Sequence, residues 1–449
     1  MECFVIFVMA WCCIYATFLS RRTLADILPH KLMKTYFNLI LFLFFTNLIF
    51  AQKNNVIEWI DSNAIVLKNT NSEKNLNLSS NYLNPCFSSS RIYGFGEATH
   101  HNKEFFEIKS EFFQYLVKNQ NVKIFILEES FGACYFLNEY LQGKEGNLSE
   151  LISNFRQHIW KTSEFKEFII WVKNYNDSKS KEDKIKFYGN DCMFNYELIS
   201  IIKINLEKNN IKLEVEEANI LELFINEIYT NSKESDSIQM KIEETKKLIF
   251  KLKKNKNINF DLILTIDAFS NFLDFFIKPK QVVRDEKMAN TVEQIYNFYN
   301  EKIFISAHND HIKKTFVNKE NSPSMGNLLN QKFGNKYYAT GFEFGNGELF
   351  SYDLEEKKGK YVILDKPIKN TNSEFFFDSK SDIFFLDFKT AVKDDLIKQF
   401  LSQKRDYIMI GGYGFDPKYL KYYYKREKYI DMFDGLIYVK KISKTTLLK

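Results

Sequence analysis

Cysteine and histidine are both scarce in this chain, six of each in 449 residues. Three cysteines (Cys3, Cys12 and Cys13) lie near the N-terminus, and Cys86, Cys134 and Cys192 are scattered. They give neither a disulfide framework nor a Cys-x-x-Cys metal pair, so stability must come from a hydrophobic core. No Gly-x-Ser-x-Gly elbow is present, which argues against a serine triad on an α/β-hydrolase scaffold. A P-loop and a dinucleotide-binding glycine fingerprint are missing too. Any hydrolytic chemistry therefore needs activated water. No internal repeat or low-complexity linker splits the chain. The formal net charge is only +5, with lysines spread among glutamates, so nucleic acid is not implied as a partner.

What is present suits a large core: 45% hydrophobic residues, in a length that allows one large domain or two. Residues 3–19 and 36–51 are apolar. The second run follows Lys34 and ends at Ala51, so residues 33–51 read as a signal peptide and 1–32 as an upstream extension. Secretion or export to a periplasm is expected, with a mature chain from Gln52 and no stable membrane span within it. The alternative is an N-terminal anchor, although neither run comfortably reaches the ~20 residues of a membrane helix. Residues 52–90 read as an irregular, polar lead-in with a short helix near Val56–Asp61.

From residue 91 onward the pattern is that of an α/β domain extending to 449. Four short apolar runs stop abruptly at ionisable residues: Ile92–His101, Ile124–Glu129, Ile185–Asp191 and Ile303–His311. Helical periodicity follows His101, to about Val117, and returns from Ser163 to about Asn176. Residues 197–278 lack strand signals and read as a helical insertion; another helix begins at Arg284. Strands dominate the C-terminal third, at 337–344, 361–364, 383–386, 407–410 and 436–439, with a hairpin turn at Gly345-Asn346-Gly347. The fold class is α/β: a mostly parallel core sheet flanked by helices. In such sheets ligands bind at the carboxyl ends of the strands. Four of the six histidines (His100, His101, His308 and His311) sit at these ends.

Glu97 precedes His100 by three residues, a spacing that lets a carboxylate orient an imidazole as a general base. The bland alternative is a helix start with a surface histidine. Adjacent strand residues face opposite ways, so one of Glu128 and Glu129 must face the crevice. Asp191 either lines the site or caps the next helix. His308 directly follows its strand and His311 comes one turn later. Together with Glu97 and Glu128 these could be metal ligands, yet no His-Glu-x-x-His motif is present. Arg284 either holds a substrate oxygen or forms an ordinary salt bridge.

The ordered set of motifs resembles the erythromycin esterase family. Gly96-Glu97-Ala98-Thr99-His100 through Glu104-Phe105 carries the first match, followed by Ile126-Leu127-Glu128 and Trp160-Lys161-Thr162-Ser163-Glu164. Gly189-Asn190-Asp191, Arg284–Ala289, Ala307–His311 and Phe433–Ile437 complete it over residues 90–440. His101 and Lys173 depart from the usual pattern. The resemblance implies hydrolysis of a small-molecule carboxylic ester or lactone by activated water, with no cofactor and no required metal. It makes His100 the base, Glu97 and Glu128 its supporting carboxylates, and Arg284 and His308 groups that orient substrate or stabilise charge. Glu104, His101, His311 and Asp191 are implied on the substrate side. Other readings of the same residues are a metal-dependent hydrolase or phosphoesterase, and a secreted protein that binds a ligand without turnover.

Overall fold

The computed structural model describes Thr35, Asn38, Leu39 and residues 53–68, 79–193, 197–228, 236–316, 322–353 and 355–448. Apart from those first three residues, the expected upstream extension and signal peptide lie outside the described residues. The chain divides into two compact units, Met1–Glu58 and Trp59–Lys449. The second carries the sheet and the site. Among the described residues no helix is long and apolar enough to cross a membrane.

Among the described residues the main sheet has nine strands. In chain order these are β1 (Ile65–Lys68), β2 (Ile92–Phe95), β3 (Val122–Ser130), β4 (Lys186–Asp191), β5 (Lys302–Ser306), β6 (Tyr337–Asp353), β7 (Lys358–Leu364), β8 (Ile383–Asp387) and, after a small separate pair, β11 (Gly435–Ile442). The separate pair is β9 (Arg405–Ile408) with β10 (Tyr424–Glu427). Spatial order is β1-β8-β11-β6-β2-β5-β3-β4, with β7 alongside β6. The run from β11 to β4 is parallel; β8 and β7 run antiparallel to their neighbours. A mostly parallel sheet is what the four apolar runs led us to expect.

Phenylalanine holds the centre. Phe187, Phe125 and Phe304 stand opposite one another on β4, β3 and β5. Their rings stack at 5.0 and 5.3 Å, and Phe95 continues the row 4.7 Å from Phe304. Burying each such ring stabilises the fold by roughly 1.5–3 kcal/mol. Helix α1 (Ser80–Phe87) and helix α2 (Lys103–Gln120) cover this face, α2 through Phe105, Ile108, Phe112, Phe113 and Leu116. Helix α3 (Phe131–Gln142) follows β3 without a loop, capped by Ser130, and α4 (Ser163–Asp177) is capped by Thr162. The helical insertion consists of α5 (Leu198–Lys208), α6 (Val215–Ile228), α7 (Asp236–Lys253) and α8 (Phe260–Ile277). Helix α9 (Gln281–Tyr299) then leads back to β5.

Two expectations need correction. No hairpin forms at Gly345-Asn346-Gly347; β6 runs straight through to Asp353 and turns afterwards into β7. The glycines are there for close approach: a Cβ at Gly345 would meet the Lys440 carbonyl, and one at Gly347 the Ile442 carbonyl, both on β11. The expected short helix near Val56–Asp61 is present, as residues 53–63, and the rest of the described lead-in is more regular than expected, since β1 and α1 follow. Strand β1 closes one edge of the sheet against β8.

Candidate active site

Strand register brings the site together. Phe95 pairs with Ser306, Ser306 with Leu127, and Leu127 with Gly189. The residues just beyond that row emerge at one edge of the sheet: Glu97 and His100 after β2, Glu128 near the end of β3, Asp191 at the end of β4, His308 and His311 after β5. All but His100 are almost wholly buried.

After β2 the chain passes close under Asn309. The amide of Asn309 exchanges hydrogen bonds with the Phe342 backbone at 2.7 and 3.0 Å, and a Cβ on residue 96 would collide with it. Glycine at 96 thus lets the next residue turn inward. The Glu97 carboxylate accepts from His100 Nδ1 at 2.5 Å and from Lys109 Nζ at 2.6 Å. Burial alone would raise the Glu97 pKa, but Lys109 and then His100 outweigh it and hold the group at about 2. An ionised carboxylate can only accept, so the His100 proton sits on Nδ1. The ring keeps 11% exposure, and no described residue bonds its Nε2.

Lys109 escapes motif reasoning, though its position gives it away. It falls on the apolar stripe of α2, four residues after Phe105 and three before Phe112. A lysine there must be paired or neutral. It is buried and lies over the Phe106 and Trp160 rings at 5.3 and 5.8 Å.

The second cluster is closed. Arg284, near the start of α9, donates from Nε and Nη2 to the two oxygens of Asp191 at 3.0 and 2.7 Å, and from Nη2 to Glu128 Oε1 at 2.8 Å. Glu128 Oε2 accepts from the His308 backbone N–H at 2.7 Å. His311 donates from Nδ1 to Asp285 at 2.8 Å and lies 3.2 Å from Glu128 Oε1. Burial would lower the His311 pKa, yet Asp285 and Glu128 raise it to about 10, so the ring is a cation at neutral pH. The 3.0 Å approach of Arg284 Nη1 to His311 Nε2 is then a like-charge contact, tolerated because carboxylates surround the pair. Burial opposes ionisation of Glu128 as well, but His311 and Arg284 keep its pKa well below the usual range. Asp285 is fully buried and also accepts from Gln281 and the Met325 backbone. Sequence reasoning placed it beside Arg284 without seeing its hold on His311.

The remaining candidates fall elsewhere. His308 lies 5.0 Å from His100, ring to ring, but its ring is fully engaged. Its Nε2 donates to the Ile410 carbonyl at 3.0 Å and its Nδ1 accepts from the Asp310 N–H at 3.2 Å. Burial, with His100 next, lowers its pKa to about 4. His308 therefore positions Glu128 through its backbone, and its ring cannot also bind substrate. Glu104 is not in the cluster: its two oxygens accept from the Ser443 N–H and hydroxyl, clasping α2 to the end of β11. His101 has a left-handed backbone (φ 65°) and a buried ring 4.1 Å from Phe350. Glu129 turns away from Arg284 to accept from the Ser130 and Gln157 N–H groups, and burial pushes it up to about 7. Among the described residues no group of three or more His, Cys, Asp and Glu side chains is arranged to hold a metal ion.

Comparison with known proteins bears on the family and the fold. The erythromycin esterase family model matches residues 117–442. The chain is 22% identical to erythromycin esterase type II of Escherichia coli over 297 residues, 57% of this chain and 70% of that protein. A Bacillus cereus protein of solved structure superposes with a TM-score of 0.75 at 21% identity, covering 88% of this chain and 99% of that one. A succinoglycan biosynthesis protein gives a TM-score of 0.72 at 21% identity, over 88% and 99% of the two chains. A mutant of the erythromycin esterase EreC, in its open conformation, gives a TM-score of 0.59 at 17% identity, over 83% and 97%. These superpositions speak for the fold; the family match goes further and supports a hydrolase role with a small-molecule substrate. The chain belongs to the erythromycin esterase family.

Proposed function

We propose that this protein hydrolyses a carboxylic ester or lactone by general-base activation of water on His100. The observation that carries the reading is the 2.5 Å pairing of His100 Nδ1 with buried Glu97, which leaves Nε2 as an acceptor on the ring's unoccupied edge. That nitrogen takes a proton from water, and the hydroxide attacks the ester carbonyl. The imidazolium so formed stays paired through Nδ1 with the buried Glu97 carboxylate, which Lys109 holds from its other oxygen. Arg284 and His311 are fixed in place by their carboxylates, so this side of the site does not reorganise during the reaction. Asp191 acts by holding Arg284.

The test is a panel of alkyl esters, aryl esters and lactones, a macrolide among them, assayed with the wild-type protein and folded variants. His100→Ala should lose about 10³-fold or more in kcat, within the range general acid–base groups contribute, and Glu97→Gln should lose less. Acidification should slow the wild type, because imidazolium cannot accept a proton. A folded His100→Ala variant with near-normal turnover would remove His100 from the mechanism. Export is proposed from residues 33–51 alone, and the intact mass of protein from its native host would test cleavage before Gln52.

A further inference from the structure

The proposed reaction needs donors for the carbonyl oxygen as it gains charge, and the obvious side chains are committed. Arg284 is spread over Asp191 and Glu128, Lys109 is held by Glu97, and both ring nitrogens of His308 are taken. The segment after β9 offers an alternative. The Ile410 carbonyl accepts from His308 Nε2 at 3.0 Å, which ties it to the ring beside His100. Gly411-Gly412-Tyr413-Gly414 then makes a β-turn, closed by the Gly414 N–H on the Gly411 carbonyl at 2.8 Å. Beyond the turn, the Tyr413 carbonyl accepts from the Tyr352 N–H at 2.9 Å and the Phe415 N–H donates to the Phe350 carbonyl at 2.7 Å. Phe350 in turn stacks on His101, the chain neighbour of His100. The turn is thus anchored at one end to His308, whose ring lies 5.0 Å from that of His100, and at the other to the strand whose Phe350 packs on His101.

Two adjacent glycines in this turn have no structural reason to be glycine. Neither Gly411 nor Gly412 has a positive φ, and a Cβ at either would meet nothing within 4 Å. Both are exposed, and among the described residues neither N–H has an acceptor. A remaining use of glycine is to let the backbone approach a ligand closely. The geometry points to the N–H groups of Gly411 and Gly412 as the oxyanion hole of the proposed hydrolysis, an assignment that rests on the ester reading above. As His100 Nε2 takes the proton, the water oxygen bonds to the carbonyl carbon and the C=O π pair moves onto oxygen. That oxyanion accepts from the two N–H groups. When the pair returns, the bond to the leaving oxygen breaks, and the alkoxide takes the proton from His100.

Gly412 is the second residue of the turn, where proline fits the backbone and removes only the N–H. Gly412→Ala keeps the N–H and fills empty space. On an ester that the wild type hydrolyses, Gly412→Pro should lose ~10²–10³-fold in kcat, the usual effect of deleting one oxyanion donor, with KM little changed. Gly412→Ala, which keeps the donor but sets a Cβ where the ligand approaches, should raise KM and lose clearly less kcat than Gly412→Pro. Circular dichroism would confirm folding, and Gly411→Pro removes the neighbouring donor should Gly412→Pro not fold. Wild-type-like kcat in a folded proline variant would overturn the assignment, as would an alanine variant as impaired as the proline one. If the wild type hydrolyses nothing in the panel, the ester reading itself fails and the assignment with it.

Discussion

Two buried carboxylates lie at the same sheet edge, one on each side of β5, and they are used differently. Glu97 serves a histidine that keeps one nitrogen free; Glu128 sits in a network where guanidinium, imidazolium and backbone N–H are all engaged. The residue types are nearly the same. What differs is whether a valence is left over. A network with every donor paired is rigid and sets a field. A reactive group is one whose partners fix its orientation without occupying its reactive atom. His100 meets that description, and His308, five ångströms away, does not.

The comparison breaks most severely at Arg284. Arg284→Ala leaves Glu128 and Asp191 buried without their shared cation, and removing one partner of a buried pair costs about 3–5 kcal/mol. Denaturant titration should show that loss. Arg284→Lys should recover only part of it, because an ammonium cannot fork onto two carboxylates. A variant as stable as wild type would mean the closed network does not hold the fold.

A pH titration sharpens the same side. His311 binds its proton more tightly in the folded state, at about 10, than the ~6.5 of an unfolded chain. Its contribution is complete below pH ~6.5 and disappears as pH rises through about 10, on the order of a few kcal/mol. The melting temperature should fall between pH 7 and 10. His311→Gln should start lower and lack that slope, so parallel curves for the two proteins would contradict the assignment.

The smallest effect is expected on the open side. Lys109→Met removes the leading favourable charge on Glu97, so the carboxyl rises from about 2 and, once protonated in milder acid, no longer accepts from His100 Nδ1. About a tenfold fall in kcat is expected, equivalent to ~1.4 kcal/mol, with KM little changed and the active pH range narrowed on the acid side. Lys109→Arg should restore most of it. A uniform loss at all pH values, unrelieved by arginine, would indicate packing alone.

Much of this was legible beforehand, for identifiable reasons. Apolar runs that stop at ionisable residues report strand ends, and a parallel sheet collects such ends along one edge, so Glu97, His100, Glu128, Asp191 and His311 could be gathered from the sequence. The different roles of His308 and His311 could not be read there. They depend on the N-cap geometry that turns the His308 ring back onto the Asp310 N–H. Glu104 matches the motif yet faces Ser443, more than three hundred residues away in sequence, which local spacing cannot reveal. The glycines of residues 345–347 signal a turn to any local rule, whereas their cause is the distant strand β11.

The position of β11 has a consequence for biosynthesis. Residues 435–442 form an interior strand, between β6 and β8. Until they emerge from the ribosome, those two strands cannot be bridged, and both present unpaired backbone edges. Such edges are templates for intermolecular pairing. The nascent chain is therefore vulnerable until residues 435–442 emerge, and a product cut short before them would meet the cell as an aggregation hazard, not as a slightly weakened protein.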